Sequence, residues 1–268
     1  MQISFFEEFP SKKNLRKLSL VNWNTKLYLA AKSLDEFNQI KKGLKAKEIV
    51  YWPILEKKEG YWISPFSQRK ALQRILAELK GSKTSIMLDL ELPTTKNLFL
   101  YLTQSLNFFR NKKLIRKFIQ NYHGKVYLAE YYPSGKMKDQ VMTSLGLHFN
   151  LPQVKVIKMF YHSLHNFNQK WFQEALQKGR KKWRNNFIPS FGAIAVGIQG
   201  NESLLTVKQL KSDLRLAKES GIEEVILFRL GGLNKEYLKV LRTASQKNWW
   251  REAMRLMLVL DHASISAG

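Results

Sequence analysis

The chain has 268 residues, no cysteine, and 45 Lys plus Arg against 21 Asp plus Glu, a formal charge of +24. The lack of cysteine excludes disulfides, thiolate metal sites and a cysteine nucleophile, and the length suits one large α/β barrel or two smaller domains. The charge predicts attraction to polyanions such as nucleic acid, anionic lipid or acidic glycan, against the plainer reading of a lysine-rich solvated surface.

The opening MQISFFEEFP lacks a basic region followed by an apolar core, so no signal peptide is expected. No apolar run approaches the roughly 20 residues of a membrane span, and the nearest, Met254 to Leu260, is far shorter. A cytoplasmic location is the expectation. Short β-branched and aromatic runs predict strands at Ile3–Phe9, Lys26–Lys32, Glu48–Leu55, Ser85–Leu92, Lys125–Tyr132, Val154–Tyr161, Gly192–Gln199 and Glu224–Leu230. Amphipathic stretches separate them. LDEFNQIKKGL places Leu34, Phe37, Ile40 and Leu44 at helical spacing. QRKALQRILAELKG stops at Gly81, and TVKQLKSDLRLAKESGI opens on a Thr cap and ends at Gly221. Residues Thr94 to Gly124 are long enough for two helices.

Eight βα units in succession predict a (β/α)8 TIM barrel, read as a single domain over residues 1–268. The strand 4–strand 5 connection is enlarged, and a C-terminal helical extension covers about 245–268, with Trp249 and Trp250 packed or interfacial. The rival is an open doubly wound sheet, but no glycine-rich turn follows the first strand. In the seventh strand Ile194, Val196 and Ile198 are expected to face helices, with Ala193, Ala195 and Gly197 filling the interior.

Active sites of such barrels lie at the C-terminal ends of the strands. The fourth strand, IMLDLELP, ends in Asp89 and Glu91, two residues apart and so on one face. Buried acids are costly unless water, partners or chemistry explain them. Either Lys32 or Arg229 neutralises this pair, or Glu91 is a general acid whose proton Asp89 helps to retain. The other strand ends offer Glu7, Tyr51, Trp52, Glu130, His162, Gln199 and Arg229 as substrate-binding residues. His162 and His165 are three apart without an HxH or HExxH pattern, so no metal and no cofactor is expected. The Gly231–Gly232 turn with Arg229 is a weaker candidate for phosphate handling.

The Asp-x-Glu of strand four, with Met159, Phe160 and Tyr161 on strand six, resembles glycoside hydrolase family 18, the chitinase-type barrels. The resemblance implies Glu91 as acid, Asp89 as the carboxylate assisting an N-acetyl group, and Tyr161 as a hydrogen-bond donor to the reacting sugar. Family 25 lysozymes look similar at strand four. Met87 and Thr84 stand where family 18 has its earlier acids, and His162 replaces its Asp or Asn.

The function expected is binding or cleavage of an N-acetylated or anionic glycan. The alternative is a non-catalytic or degenerate barrel that binds a polyanion through Arg110, Lys112 and Lys113 in one basic run and Lys181, Lys182 and Arg184 in another. Both runs fall on predicted exterior helices. Oligomeric state is not legible.

Overall fold

The computed structural model describes residues 1–93, 98–132, 135–200 and 202–246, with backbone alone at 98–100. Eight parallel strands close into a barrel in chain order. They are β1 (Gln2–Glu7), β2 (Lys26–Ala31), β3 (Glu48–Pro53), β4 (Ile86–Asp89), β5 (Val126–Tyr131), β6 (Lys155–Phe160), β7 (Phe187–Gly192) and β8 (Glu224–Phe228). The helices are α1 (Lys12–Arg16), α2 (Leu34–Ile40), α3 (Arg69–Glu78), α4 (Leu98–Ser105), α5 (Phe108–Asn121), α6 (Lys136–Ser144), α7 (Gln169–Trp183), α8 (Val207–Glu219) and α9 (Lys235–Ser245). The long connection after β4 holds two helices, α4 and α5, as its length implied. The expected C-terminal extension lies outside the described residues from 247 onward. No described helix is long and apolar enough to cross a membrane.

Strand alternation produces two separate cores. Ile3, Phe5, Leu27, Leu29, Leu88, Phe160 and Leu227 point outward, into the layer beneath the helices. Phe6, Tyr28, Val50, Met87, Ile157, Ile188 and Ile226 point inward and fill the barrel. Helix starts follow local chemistry. The Ser33 hydroxyl accepts the Glu36 N–H at 3.1 Å before α2, and Thr206 accepts that of Gln209 at 3.1 Å before α8.

The seventh strand is a correction. It is Phe187–Gly192 rather than Gly192–Gln199. Pro189 sits inside it, opposite Lys158 of β6, and a proline within a run argues against a strand on sequence grounds. The β-rich stretch that follows is a loop over the mouth. It is tied down where Ile194 N–H donates to the Phe228 carbonyl at 2.6 Å and Leu205 N–H to that of Ala193 at 2.7 Å. The expected alternation of residues 193–198 therefore fails: Ala193 and Ile194 are both buried, and Val196 is exposed.

Helix α7 lies close against β7 because residue 179 is glycine. A Cβ there would overlap the Phe187 ring. Alanine is the better helix former by up to about 1 kcal/mol, yet Gly179→Ala should lower stability by about 1–3 kcal/mol through overpacking. Urea unfolding of the variant checks this, and an unchanged midpoint would show that the helix can move away at no cost.

Candidate active site

The strand ends surround a cleft of about 1040 Å³. Its floor is the top of the inner core, Phe6, Trp52, Ala129 and Met159, where a small residue at 129 leaves depth. Asp89, Glu91 and Tyr131 stand on one side, Glu8, Glu202 and Phe228 on another, with Tyr161 between β5 and β7. The end of β4 is clamped from both sides. Leu90 N–H donates to the Ala129 carbonyl at 2.8 Å, Ile63 N–H to the Asp89 carbonyl at 3.1 Å, and Leu92 N–H to the Tyr131 hydroxyl at 3.4 Å. Leu88 and Leu90 pack into the outer core, which leaves Asp89 and Glu91 the inward direction.

No cation neutralises this pair among the described residues. Lys32 is bound to Glu56 at 2.8 Å, and Arg229 to Glu7 at 3.1 Å. Asp89 is 5 % exposed, and its Oδ1 has no hydrogen-bond partner among the described residues. Burial raises the Asp89 pKa, and the charges of Glu91 and Glu8 raise it further. Glu91 is raised by burial and then by the Glu8 charge. Glu91, pushed up to about 8, therefore favours holding a proton near neutral pH, and Asp89 is displaced in the same direction.

Glu8, next to the expected Glu7, is a third carboxylate in the cleft. It is 3 % exposed. The Tyr61 hydroxyl donates to its Oε1 at 2.8 Å, while Oε2 has no hydrogen-bond partner among the described residues. Burial pushes Glu8 up to about 7, against the opposing effects of the Tyr61 hydrogen bond and the Arg229 charge. Tyr61 reaches it from a backbone φ of 66°, a region costly for a side chain of this size. Glu202 approaches from the loop after β7. Its Oε1 and the Glu8 Oε2 both lie 2.9 Å from the point a Cβ on residue 197 would occupy, and the Phe228 ring lies 2.8 Å from it. Glycine at 197 is what lets the two acids and the ring converge. Trp52 Nε1, also in the floor, is a buried donor without a partner among the described residues.

The expected binding residues divide. Trp52, Tyr161 and Gln199 line the cleft. Glu7, Tyr51, Glu130, His162 and Arg229 do not. Glu7 accepts from Arg229, from Phe9 N–H at 2.9 Å and from Gly231 N–H at 2.7 Å. The Gly231–Gly232 turn is thus occupied by a carboxylate of the chain itself. Tyr51 stacks on Phe37 in the outer core. Glu130 is buried against Lys158 at 2.7 Å, and His162 against Asp213 at 3.0 Å. No group of His, Asp and Glu with metal-site geometry occurs among the described residues. Arg110 and Lys113 are exposed on the first turns of α5, and Lys112 reaches the Thr143 and Ser144 carbonyls at 3.0 and 2.9 Å. Lys181, Lys182 and Arg184 are exposed at the end of α7, so the two basic runs sit at opposite ends of their helices.

Solved structures share this architecture. The glycoside hydrolase domain of PgaB (BpsB) from Bordetella bronchiseptica superposes with a TM-score of 0.57 at 10% identity, over 92% of this chain and 98% of that one. A GH18 chitinase from Pseudoalteromonas aurantia gives 0.53 at 9% identity, over 91% and 100%. A xylose isomerase domain protein from Planctomyces limnophilus gives 0.53 at 11% identity, over 94% and 98%. The likeness is one of fold. The chain is a TIM barrel. No family model matches the sequence, and no curated protein matches it.

The acid cluster has a consequence for stability. Above the pKa of an unfolded carboxylate, about 4, the native state still holds protons that the unfolded chain has released. Stability therefore falls as pH rises from there toward the raised folded values. Asp89→Asn and Glu91→Gln remove that cost. Each should raise Tm at pH 8 by several degrees, equivalent to about 1–3 kcal/mol, with a smaller gain at pH 4.5. Thermal unfolding at both pH values checks the sign, and a loss of stability at pH 8 would show a cationic partner for the pair.

Proposed function

We propose that the protein is a glycoside hydrolase acting on an N-acetylated glycan, with Glu91 as general acid. The observation that carries this reading is the pair of a buried Asp89 and a half-buried Glu91, with no neutralising cation among the described residues, open to an aromatic-lined cleft. Three further arguments support it. Trp52, Trp62, Tyr131, Tyr161 and Phe228 supply ring faces of the kind that pack on sugars. An anionic sugar at the reacting position would meet the acids Glu8, Asp89, Glu91 and Glu202, and its charge would oppose ionisation of Asp89 and Glu91 still further, which favours the neutral N-acetylated substrate over the anionic one. The strand-four and strand-six residues match the Asp-x-Glu and Met-x-Tyr pattern of chitinase-type barrels.

In this mechanism the protonated Glu91 gives its proton to the glycosidic oxygen as the bond to the anomeric carbon breaks. The acetamido oxygen of the same sugar bonds to that carbon, with Asp89 accepting from the acetamido N–H and the Tyr161 hydroxyl donating to its oxygen. A water then adds at the carbon, displacing the acetamido oxygen and so restoring the N-acetyl group, as the Glu91 carboxylate takes the water's proton. The charge on Glu8 acts at a distance by keeping Glu91 protonated.

Glu91→Gln should reduce hydrolysis of N-acetylglucosamine oligomers by about 10²–10⁴-fold, while uronate oligomers are not substrates for the wild type. Absence of turnover on every N-acetylated glycan by the wild type, or full activity in the variant, sinks the proposal. Glu8→Gln tests the tuning separately. Loss of its charge lowers the Glu91 pKa, so the high-pH limb of kcat/KM should move to lower pH. A variant with an unshifted limb would leave Glu8 with no part in the protonation of Glu91.

A further inference from the structure

The opposite mouth of the barrel carries a second cavity, of about 280 Å³. It is lined by Lys26, Lys47, Lys155, Arg180 and Arg184. The acids on its wall, Glu223 and Glu224, are already engaged. Glu224 accepts from Lys26 Nζ at 2.6 Å and from the Ser4 hydroxyl at 2.8 Å, and Glu223 from Arg180 at 3.0 Å. Glu48, the other acid of this layer, accepts from Ser85 at 2.6 Å, Tyr127 at 3.2 Å and Lys125 at 3.3 Å.

Lys155 is left over. It begins β6 and points inward with Ile157 and Met159, so its ammonium enters the barrel from below. It is half-buried, and among the described residues nothing hydrogen-bonds or ion-pairs with it. Burial lowers its pKa and the charge of Lys26 lowers it further, against the pull of Glu224 and Glu48, with the Lys125 charge the smallest effect. Arg184 likewise has no side-chain partner among the described residues, and Lys47 has only the Gln2 amide at 3.4 Å. A half-buried ammonium kept beside another cation is a cost to the fold. A bound anion would remove that cost, and a cavity of this size holds a small group rather than a chain of sugars.

We infer that the N-terminal mouth of the barrel binds a compact oxyanion, a phosphate or phosphomonoester group, through Lys155, Lys47 and Arg184. This site is separate from the cleft above the strand ends, and it does not depend on the hydrolase reading. It also differs from general attraction to the basic exterior, because its cations converge on one cavity.

The test is calorimetric titration of the full chain with inorganic phosphate and, in a second arm, glycerol 3-phosphate, at ionic strength held constant with sodium chloride. Saturable one-site binding is expected. Lys155→Gln and Arg184→Gln should each weaken it about tenfold or more, the loss of one charge-assisted contact. Lys113→Gln, an exposed change on α5, should leave it unaltered. Without phosphate, Lys155→Gln should raise Tm, because it removes an unpaired ammonium from the fold, and phosphate should then stabilise the wild type but not the variant. Binding of both probes assigns the site to phosphorylated molecules, and binding of inorganic phosphate alone assigns it to the free ion. Absence of saturable binding overturns the inference. So does equal weakening by Lys113→Gln and Lys155→Gln, which would reduce the effect to net charge.

Discussion

The pleat of a closed parallel barrel gives each strand side chain one of two destinations, and charge at the C-terminal ends of the strands is sorted by that choice. Outward-pointing charges meet a layer of helices and loops, and there they are paired. Glu7 is bound by Arg229 and by two backbone N–H groups, Glu130 by Lys158, and His162 by Asp213. Removing one partner of such a buried pair strands the other, so these contacts fix geometry even where their net contribution to stability is small. Inward-pointing charges at the mouth are not paired. Glu8, Asp89 and Glu91 share the same space with no ion pair among the described residues; burial raises all three, and the Glu8 charge raises Asp89 and Glu91 further. The same side-chain types are structural on one face of the strand and chemically poised on the other.

This sorting explains which parts of the site were legible in the sequence. Strand order, barrel closure and most strand positions follow from hydrophobic runs separated by helical spacing, because those runs report burial directly. The Asp89–Glu91 pair was found by applying period two to β4. The same parity, carried round the barrel, picks Glu8 with Phe6, Trp52 with Val50, Tyr131 with Ala129, and Tyr161 with Met159. It rejects Glu7, Tyr51, Glu130, His162 and Arg229, which share the outward parity of Phe5, Ile49, Leu128, Phe160 and Leu227. Every expected binding residue that misses the cleft lies on the wrong parity. A strand-end residue chosen by chemistry alone is as well placed to meet a helix as a substrate.

Other parts were not legible in local pattern. The run GAIAVGIQ is rich in strand-forming residues, and FIPSFG contains a proline, so propensity favoured the wrong one. Tertiary contacts decide it, with Phe187 against the Gly179 face of α7 and Ser190 beside Ile226 of β8. The displaced run then becomes the loop that brings Ile198, Gln199 and Glu202 over the cleft. Tyr61 and Trp62 come from the insertion between β3 and α3, whose place above Glu8 rests on a positive φ and on the Ile63–Asp89 hydrogen bond. Such features depend on long-range closure and leave no period to read.

The net charge of +24 hides an uneven distribution. The deep cleft is acidic although the chain is strongly basic, because the cations near it are consumed by outward acids or lie on its rim, as Lys57 and Lys58 do. The opposite mouth is basic, and its acids are consumed instead. Both mouths therefore keep unpaired charge of one sign in a partly desolvated space, where interactions with a ligand are stronger than on an open surface. Surface lysines cost the fold little and need no partner. Asp89 and Lys155 do cost it, and the barrel holds each in place by packing the strand residues beside them, Leu88 and Leu90 in one case and Val156 in the other, into the helix layer.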